Sequence, residues 1–148
     1  MKALLQRVSE AAVTVEGRVV AEITAGLVIL LCVEVGDDAD AASFLACKTA
    51  ALRIFDDAAG KMNRSVTDTD GRALVVSQFT LAADTSRGNR PSYAGAAPQE
   101  AARDLYEYYC DSLAEHGVPV ERGVFAARMA VRLVNDGPVT IWLDSRNH

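Results

Sequence analysis

The chain has 148 residues, half of them hydrophobic, and carries a formal net charge of −5. That length and apolar content fit a single domain over residues 1–148, and the acidic balance excludes a protein that coats long nucleic acid by neutralising many phosphates. Cys32, Cys47 and Cys110 are odd in number and widely spaced, which supports neither a disulfide framework nor a zinc motif; they read as small buried hydrophobes.

Residues 2–8 and 11–23 read as strands, the second broken at Glu16-Gly17 into a hairpin, with a turn at Thr24-Ala25-Gly26. Arg7, between Gln6 and Val8, reads as a solvated charge. Residues 27–35 form a buried strand pattern, and Asp37-Asp38 is placed to cap a helix with apolar positions Ala41, Phe44, Leu45 and Leu52. The run Val75-Val76-Ser77-Gln78-Phe79-Thr80-Leu81 closes a strand predicted over residues 72–81, with Phe79 expected in the core. A turn-rich loop containing Arg87 and Arg90 follows. Pro98 then opens a second helix striped by Leu105, Tyr109 and Leu113 and stopped by Gly117. Three last strands are predicted over 118–121, 127–134 and 139–144, the final two joined by an Asp136-Gly137-Pro138 turn. About seven or eight strands with two helices predict a mixed α/β fold: a largely antiparallel sheet rolled into a partly open barrel and capped by the helices.

Two segments point to a site. A hydroxyl or amide buried without a partner costs about 1–3 kcal/mol, so Ser77, Gln78 and Thr80 beside a core strand require an internal network or a ligand. Asn135-Asp136-Gly137-Pro138-Val139-Thr140 sets turn chemistry between two strong strand patterns, and a Gly-Pro bond is cis far more readily than an ordinary peptide. His116 and His148 are the two histidines, one at a predicted helix end and one at the terminus, so a Ser-His-Asp or Cys-His relay has no suitable base. No HExxH, CxxC or glycine-rich phosphate loop occurs. The chain has no apolar run of membrane-spanning length and no signal-like start, which predicts a cytoplasmic protein without a membrane partner.

Taken together, Gln6-Arg7-Val8, Val13-Thr14-Val15, Leu52-Arg53-Ile54-Phe55, Gly60-Lys61-Met62-Asn63, Ser77-Gln78-Phe79-Thr80-Leu81, Arg90-Pro91-Ser92 and Asn135-Asp136-Gly137-Pro138-Val139-Thr140 resemble the D-aminoacyl-tRNA deacylases over essentially the whole length. Tyr93 departs from the pattern, which often has Phe there. The resemblance implies a homodimer that hydrolyses the ester between a D-amino acid and the 3′-terminal adenosine of tRNA, with neither cofactor nor metal, and with glycyl-tRNA as an additional substrate.

It also implies a pocket built from Ser77, Gln78, Phe79 and Thr80, with a cis Gly137-Pro138 pair entering from the other subunit, Arg7 holding that pair, and Met129 lining the adenosine site. Thr80 is the nucleophile by chemistry alone. With no base beside it in the sequence, the resemblance favours assistance from the ribose 2′-hydroxyl, with backbone N–H groups near Phe79 and Thr80 receiving the oxyanion. Two rivals stand beside this reading: a non-catalytic dimer that binds an RNA 3′ end or a nucleotide, and a hydrolase of small esters.

Overall fold

In the computed structural model, which describes residues 1–147, the first two predicted strands are one: β1 (Lys2–Val15) runs unbroken. Its residues Ala3, Leu5, Val8, Ala11 and Val13 are buried. Ser9 and Glu10 are exposed where the register against the last strand shifts, so the polar pair makes a bulge and not a strand end. Glu16 and Gly17 both take positive φ, +49° and +77°, and turn the chain into β2 (Arg18–Ile23), antiparallel to β1. The predicted 27–35 strand is β3 (Gly26–Cys32), antiparallel to the first half of β1.

The other edge of β1 is taken along its length by β8 (Ala130–Asp144), antiparallel. The two strands predicted over 127–134 and 139–144 are therefore one, because the Gly-Pro segment bulges out of β8 without ending it. The remaining pairings of this sheet are parallel, β6 (Arg72–Ser77) on β3 and β7 (Val120–Arg122) on β6. The sheet is mixed, antiparallel around β1 and parallel around β6. Parallel neighbours require long crossovers. The first carries α1 (Ala39–Ala51) and the small β4 (Phe55–Asp56) and β5 (Met62–Arg64) ribbon; the second carries α2 (Gln99–Glu115). The result is a six-stranded, nearly closed barrel-like sheet with two helices.

Gly26 marks the start of the β3–β6 pair. With φ at +157°, a Cβ there would stand 1.8 Å from the Arg72 carbonyl oxygen, so only glycine lets the two backbones approach.

Two apolar clusters fill the two faces of the sheet. Leu5, Ile29 and Val75 pack with Ala42, Leu45, Tyr109 and Leu113 beneath the helices, and Val8, Val13, Val28, Leu74 and Val76 pack on the opposite side, with Met129 at their margin. The predicted α2 stripe is widened by the buried Tyr106 and Cys110. The Thr49 and Tyr109 hydroxyls bond at 2.9 Å and tie α1 to α2. Asp38, not Asp37, caps α1 by accepting from the Ala41 N–H at 3.0 Å, while Asp37 accepts from the Met1 ammonium at 2.6 Å and the Glu34 N–H at 2.7 Å. Cys32 and Cys110 are buried as expected, but Cys47 faces solvent from α1.

Candidate active site

β6 ends at Ser77, which pairs with Leu31 of β3. The Gln78 N–H still donates to the Leu31 carbonyl at 2.8 Å, but its φ and ψ of −141° and 75° leave the extended region, and Phe79–Ala82 forms a single 3₁₀ turn. The strand predicted to reach Leu81 therefore stops short. Its polar groups bond one another in place of a neighbouring strand, with Gln78 Nε2 donating to Thr80 Oγ1 at 2.5 Å. The turn swings Phe79 out of the predicted core to 56 % exposure, where its ring meets Tyr93 edge-on at 5.1 Å. Beneath it, burial pushes the Cys32 thiol up to about 11, and the protonated sulfur donates to the Phe79 carbonyl at 3.6 Å.

Ser77, Gln78 and Phe79 line a cavity of about 650 Å³. Tyr93, Ala96 and Ala97 come from the segment after the exposed loop, which is closed by reciprocal backbone bonds between Asp84 and Ser92 at 2.8 and 2.9 Å. That segment is fixed beside the end of β3 by Ala97 N–H to the Val33 carbonyl and Val35 N–H to the Gly95 carbonyl, each 3.0 Å. Gln99 and Ala102 contribute from the first turn of α2.

The remaining wall is Phe125, Ala126, Ala127, Met129 and Val131. Gly123 anchors this stretch through its N–H, which donates to the Val75 carbonyl at 3.0 Å; the buried Tyr106 hydroxyl donates to the same oxygen at 2.8 Å. A Cβ on Gly123 would lie 2.9 Å from Met129 Sδ, so the absent side chain is what admits the methionine. Ala126 holds φ at +64°, an uncommon conformation for a residue with a Cβ and one that recurs at functional sites.

Thr80 is half-buried and does not line the cavity; its hydroxyl is held by Gln78. Arg7, Gly137 and Pro138 form a second group. Gln6 pairs with Thr140 and Val8 with Asn135, so residues 136–139 bulge out opposite Arg7 alone. Arg7 is 7 % exposed, against the expectation of a solvated charge. Its guanidinium donates to the Asp136 carbonyl at 3.1 Å and the Ile54 carbonyl at 2.8 Å, and approaches the Asp56 carboxylate at 3.4 Å. Asn135 Oδ1 accepts from the Val139 N–H at 3.2 Å across the bulge. The Gly137-Pro138 bond is cis, both residues are exposed, and neither lines the cavity of its own chain. His116 is the exposed C-cap of α2, away from the cavity, and His148 lies outside the described residues.

The cavity thus combines an apolar wall, suited to a planar ring, with a serine, an amide and the start of a 3₁₀ turn. The first N–H groups of such a turn have no partner inside it and are free to face an anionic oxygen. The wall from Phe125 to Ala127 was not legible as one unit, because Phe125 and Ala126 fell in the join between two expected strands and Ala127 in the strand read from 127. The signal was present in Arg122-Gly123, a turn pair followed by apolar residues without strand alternation. Gln99 and Ala102 carried no signal beyond a helix start.

The D-Tyr-tRNA(Tyr) deacylase family profile matches residues 4–144. A D-aminoacyl-tRNA deacylase of Cereibacter sphaeroides is 61 % identical over 98 % of this chain and 100 % of its own length, and one of Thermomicrobium roseum is 59 % identical over 98 % and 94 %. Among solved structures, the c-Myc DNA Unwinding Element Binding Protein superposes with a TM-score of 0.91 at 37 % identity, covering 97 % of this chain and 98 % of that one. A probable eukaryotic D-amino acid tRNA deacylase shares the fold, with a TM-score of 0.79 at 16 % identity over 96 % and 97 %. By its match to the profile from residue 4 to residue 144 and its identity to curated relatives along their length, the chain belongs to the D-Tyr-tRNA(Tyr) deacylase family.

Proposed function

We propose that the protein hydrolyses the ester joining a D-amino acid to the 3′-terminal adenosine of tRNA, releasing free tRNA and the D-amino acid in the cytoplasm. The observation that carries this reading, beside the family, is the 650 Å³ cavity that sets Ser77, Gln78 and the 3₁₀ turn against the apolar wall of Met129. The terminal adenine lies along that wall and the ester carbonyl at the turn. Water adds to the carbonyl carbon, the developing oxyanion is received at the start of the 3₁₀ turn by the N–H of the cavity-lining Phe79, and the bond to the ribose 3′-oxygen breaks as that oxygen takes a proton. The neighbouring 2′-hydroxyl positions the water.

The protein acts as a homodimer, with Gly137 and Pro138 of one protomer entering the pocket of the other. Two observations support this arrangement. The exposed bulge at 136–139 stands outside its own cavity, and β8 pairs among the described residues only with β1, leaving Val131, Val134 and the 48 %-exposed Trp142 on an open strand. Main chain inserted beside the substrate Cα leaves no room for a side chain of L configuration. Glycine has no side chain to exclude, so glycyl-tRNA is a further substrate, including glycine mischarged on tRNA for alanine.

Purified protein given matched D- and L-tyrosyl-tRNA is expected to cleave the D ester at least about 100-fold faster, a discrimination of about 2.7 kcal/mol, and a chelator is expected to change neither rate. Equal rates on the two esters would remove the chiral filter. Failure to cleave either, with the RNA end still bound, would leave a non-catalytic nucleic-acid module, the class of name borne by the c-Myc DNA Unwinding Element Binding Protein.

A second expectation concerns Met129. Gly123→Ala places a methyl group 2.9 Å from its sulfur, and because a methionine side chain can yield, stability should fall by no more than about 1.5 kcal/mol. Displacing the wall is expected to raise KM for D-tyrosyl-tRNA about 5–10-fold with kcat retained. An unchanged KM would take Met129 out of the adenosine site.

A further inference from the structure

Arg103 lies one residue beyond the cavity-lining Ala102 on α2, with its guanidinium carbon 5.1 Å from the ring centroid of Phe125, itself part of the cavity wall. Its natural helical partner is Glu107 at i+4. That carboxylate is bonded instead by Arg122, which also pairs with Asp111. Among the described residues no carboxylate pairs with Arg103, whereas Arg7, Arg72, Arg122 and Arg146 each hold at least one. A guanidinium stacked on a ring keeps its N–H edge open, and that edge has the planar fork geometry suited to a phosphate.

The surroundings favour an anion. The first turn of the 17-residue helix α2 meets the cavity through Gln99 and Ala102, which brings its positive end to the same mouth. Arg128, adjoining Met129, and Arg87 and Arg90, on the loop leading to Tyr93, are exposed and likewise without a carboxylate partner among the described residues. For a chain of net charge −5, each of these cations adjoins in sequence a segment that lines the cavity, while the protein as a whole has no general basic surface.

We propose that Arg103, seated on Phe125, binds a backbone phosphate of the RNA strand immediately upstream of the terminal adenosine. This rests on the deacylase reading for its substrate but concerns a contact outside the reacting ester. It makes Arg103 a positioning residue for the RNA end and explains how an acidic protein holds one polyanion end with few contacts.

The test uses Arg103→Gln and Arg103→Lys on two substrates, D-tyrosyl-tRNA and the D-tyrosyl 3′-ester of adenosine, which has no phosphate, together with binding of an uncharged acceptor-stem minihelix ending in CCA between 50 and 200 mM salt, a range over which phosphate contacts are progressively weakened. Arg103→Gln is expected to raise KM for D-tyrosyl-tRNA about 5–10-fold with kcat unchanged and to leave the adenosine ester unaffected. It should also lower the minihelix salt slope by about 0.7–0.9, the value of one lost phosphate contact. Arg103→Lys should restore most of the affinity. An unaltered salt slope, or an equal loss on both esters, would overturn the proposal, the latter by making Arg103 a prop for the cavity wall. If wild-type protein cleaves neither ester, the deacylase reading fails separately, while the minihelix slope still decides whether Arg103 meets a phosphate.

Discussion

Replacing the terminal 2′-hydroxyl of D-tyrosyl-tRNA by hydrogen is expected to slow single-turnover hydrolysis by about 10²–10⁴-fold, the usual range for losing a positioned proton-transfer group. Thr80→Ala is expected to slow it by less than about 10-fold. The contrast follows from where the Thr80 hydroxyl lies: it accepts from Gln78 Nε2 at 2.5 Å, no imidazole or carboxylate among the described residues bonds it, and it does not line the cavity. A threonine without a base is a weak nucleophile. The oxygen next to the scissile ester is the substrate's own, and a group already tethered there gains the full benefit of proximity. Thr80→Ala should therefore act mainly through Gln78, whose amide loses one hydrogen bond, a contribution of about 1 kcal/mol. Both rates should be measured under single-turnover conditions, with circular dichroism to establish that the variant is folded. A deoxy substrate cleaved at the normal rate, or a folded Thr80→Ala protein with turnover abolished, would return the nucleophile to the protein.

The elements that local pattern determines were legible in the sequence. Strand patterns on either side of Ser9-Glu10, the turn at Glu16-Gly17, a helix cap within Asp37-Asp38 and the Tyr109/Leu113 stripe each depend on neighbours a few residues away. What was not legible depends on partners distant in the chain. Residues 72–81 read as a strand because an apolar run through Val76 is followed by Phe79 and Leu81 on either side of Thr80, yet β3 ends at Cys32 and offers nothing for Phe79 to pair with, so the backbone turns. Residues 127–134 and 139–144 look like two strands because the sequence does not reveal that β1 is long enough to span both. Arg7 is an intermediate case. Its position continues the inward series of Ala3 and Leu5, so strand parity already placed it inside, and charge alone argued otherwise. Ser77, Gln78, Phe79 and Met129 converge on one cavity, while Arg7, Gly137 and Pro138 gather elsewhere on the same chain.

That separation gives the second large effect. Arg7→Ala is expected to lower stability by about 2–4 kcal/mol and to cut D-tyrosyl-tRNA hydrolysis at least about 100-fold, with the D-over-L preference falling as well. The stability term comes mainly from the buried Ile54 carbonyl, which loses its donor at about 1–3 kcal/mol, and to a lesser extent from the part-buried Asp136 carbonyl, together with the packing of the buried Arg7 side chain. The carboxylates of Asp56 and Asp136 are more than half exposed and remain solvated, so they add little. The activity term is separate. Asn135 and Thr140 fasten the base of the bulge through side-chain bonds to Val139 N–H and to each other, but its crest is held from below by Arg7, whose Nη2 would lie 3.1 Å from a Cβ on Gly137. Without the guanidinium the bulge keeps its stem and loses its fixed height. In the proposed cross-subunit arrangement, a wandering Gly137-Pro138 segment would exclude an L side chain less strictly. Arg7→Lys replaces a rigid planar fork by a compact ammonium on a flexible stem and should fall between, recovering stability more than selectivity. Chemical denaturation would report the first quantity and matched D- and L-ester kinetics on the folded fraction the second. A folded Arg7→Ala protein with unaltered rate and selectivity would show that the bulge needs no support from β1 and would disconnect it from the chiral filter.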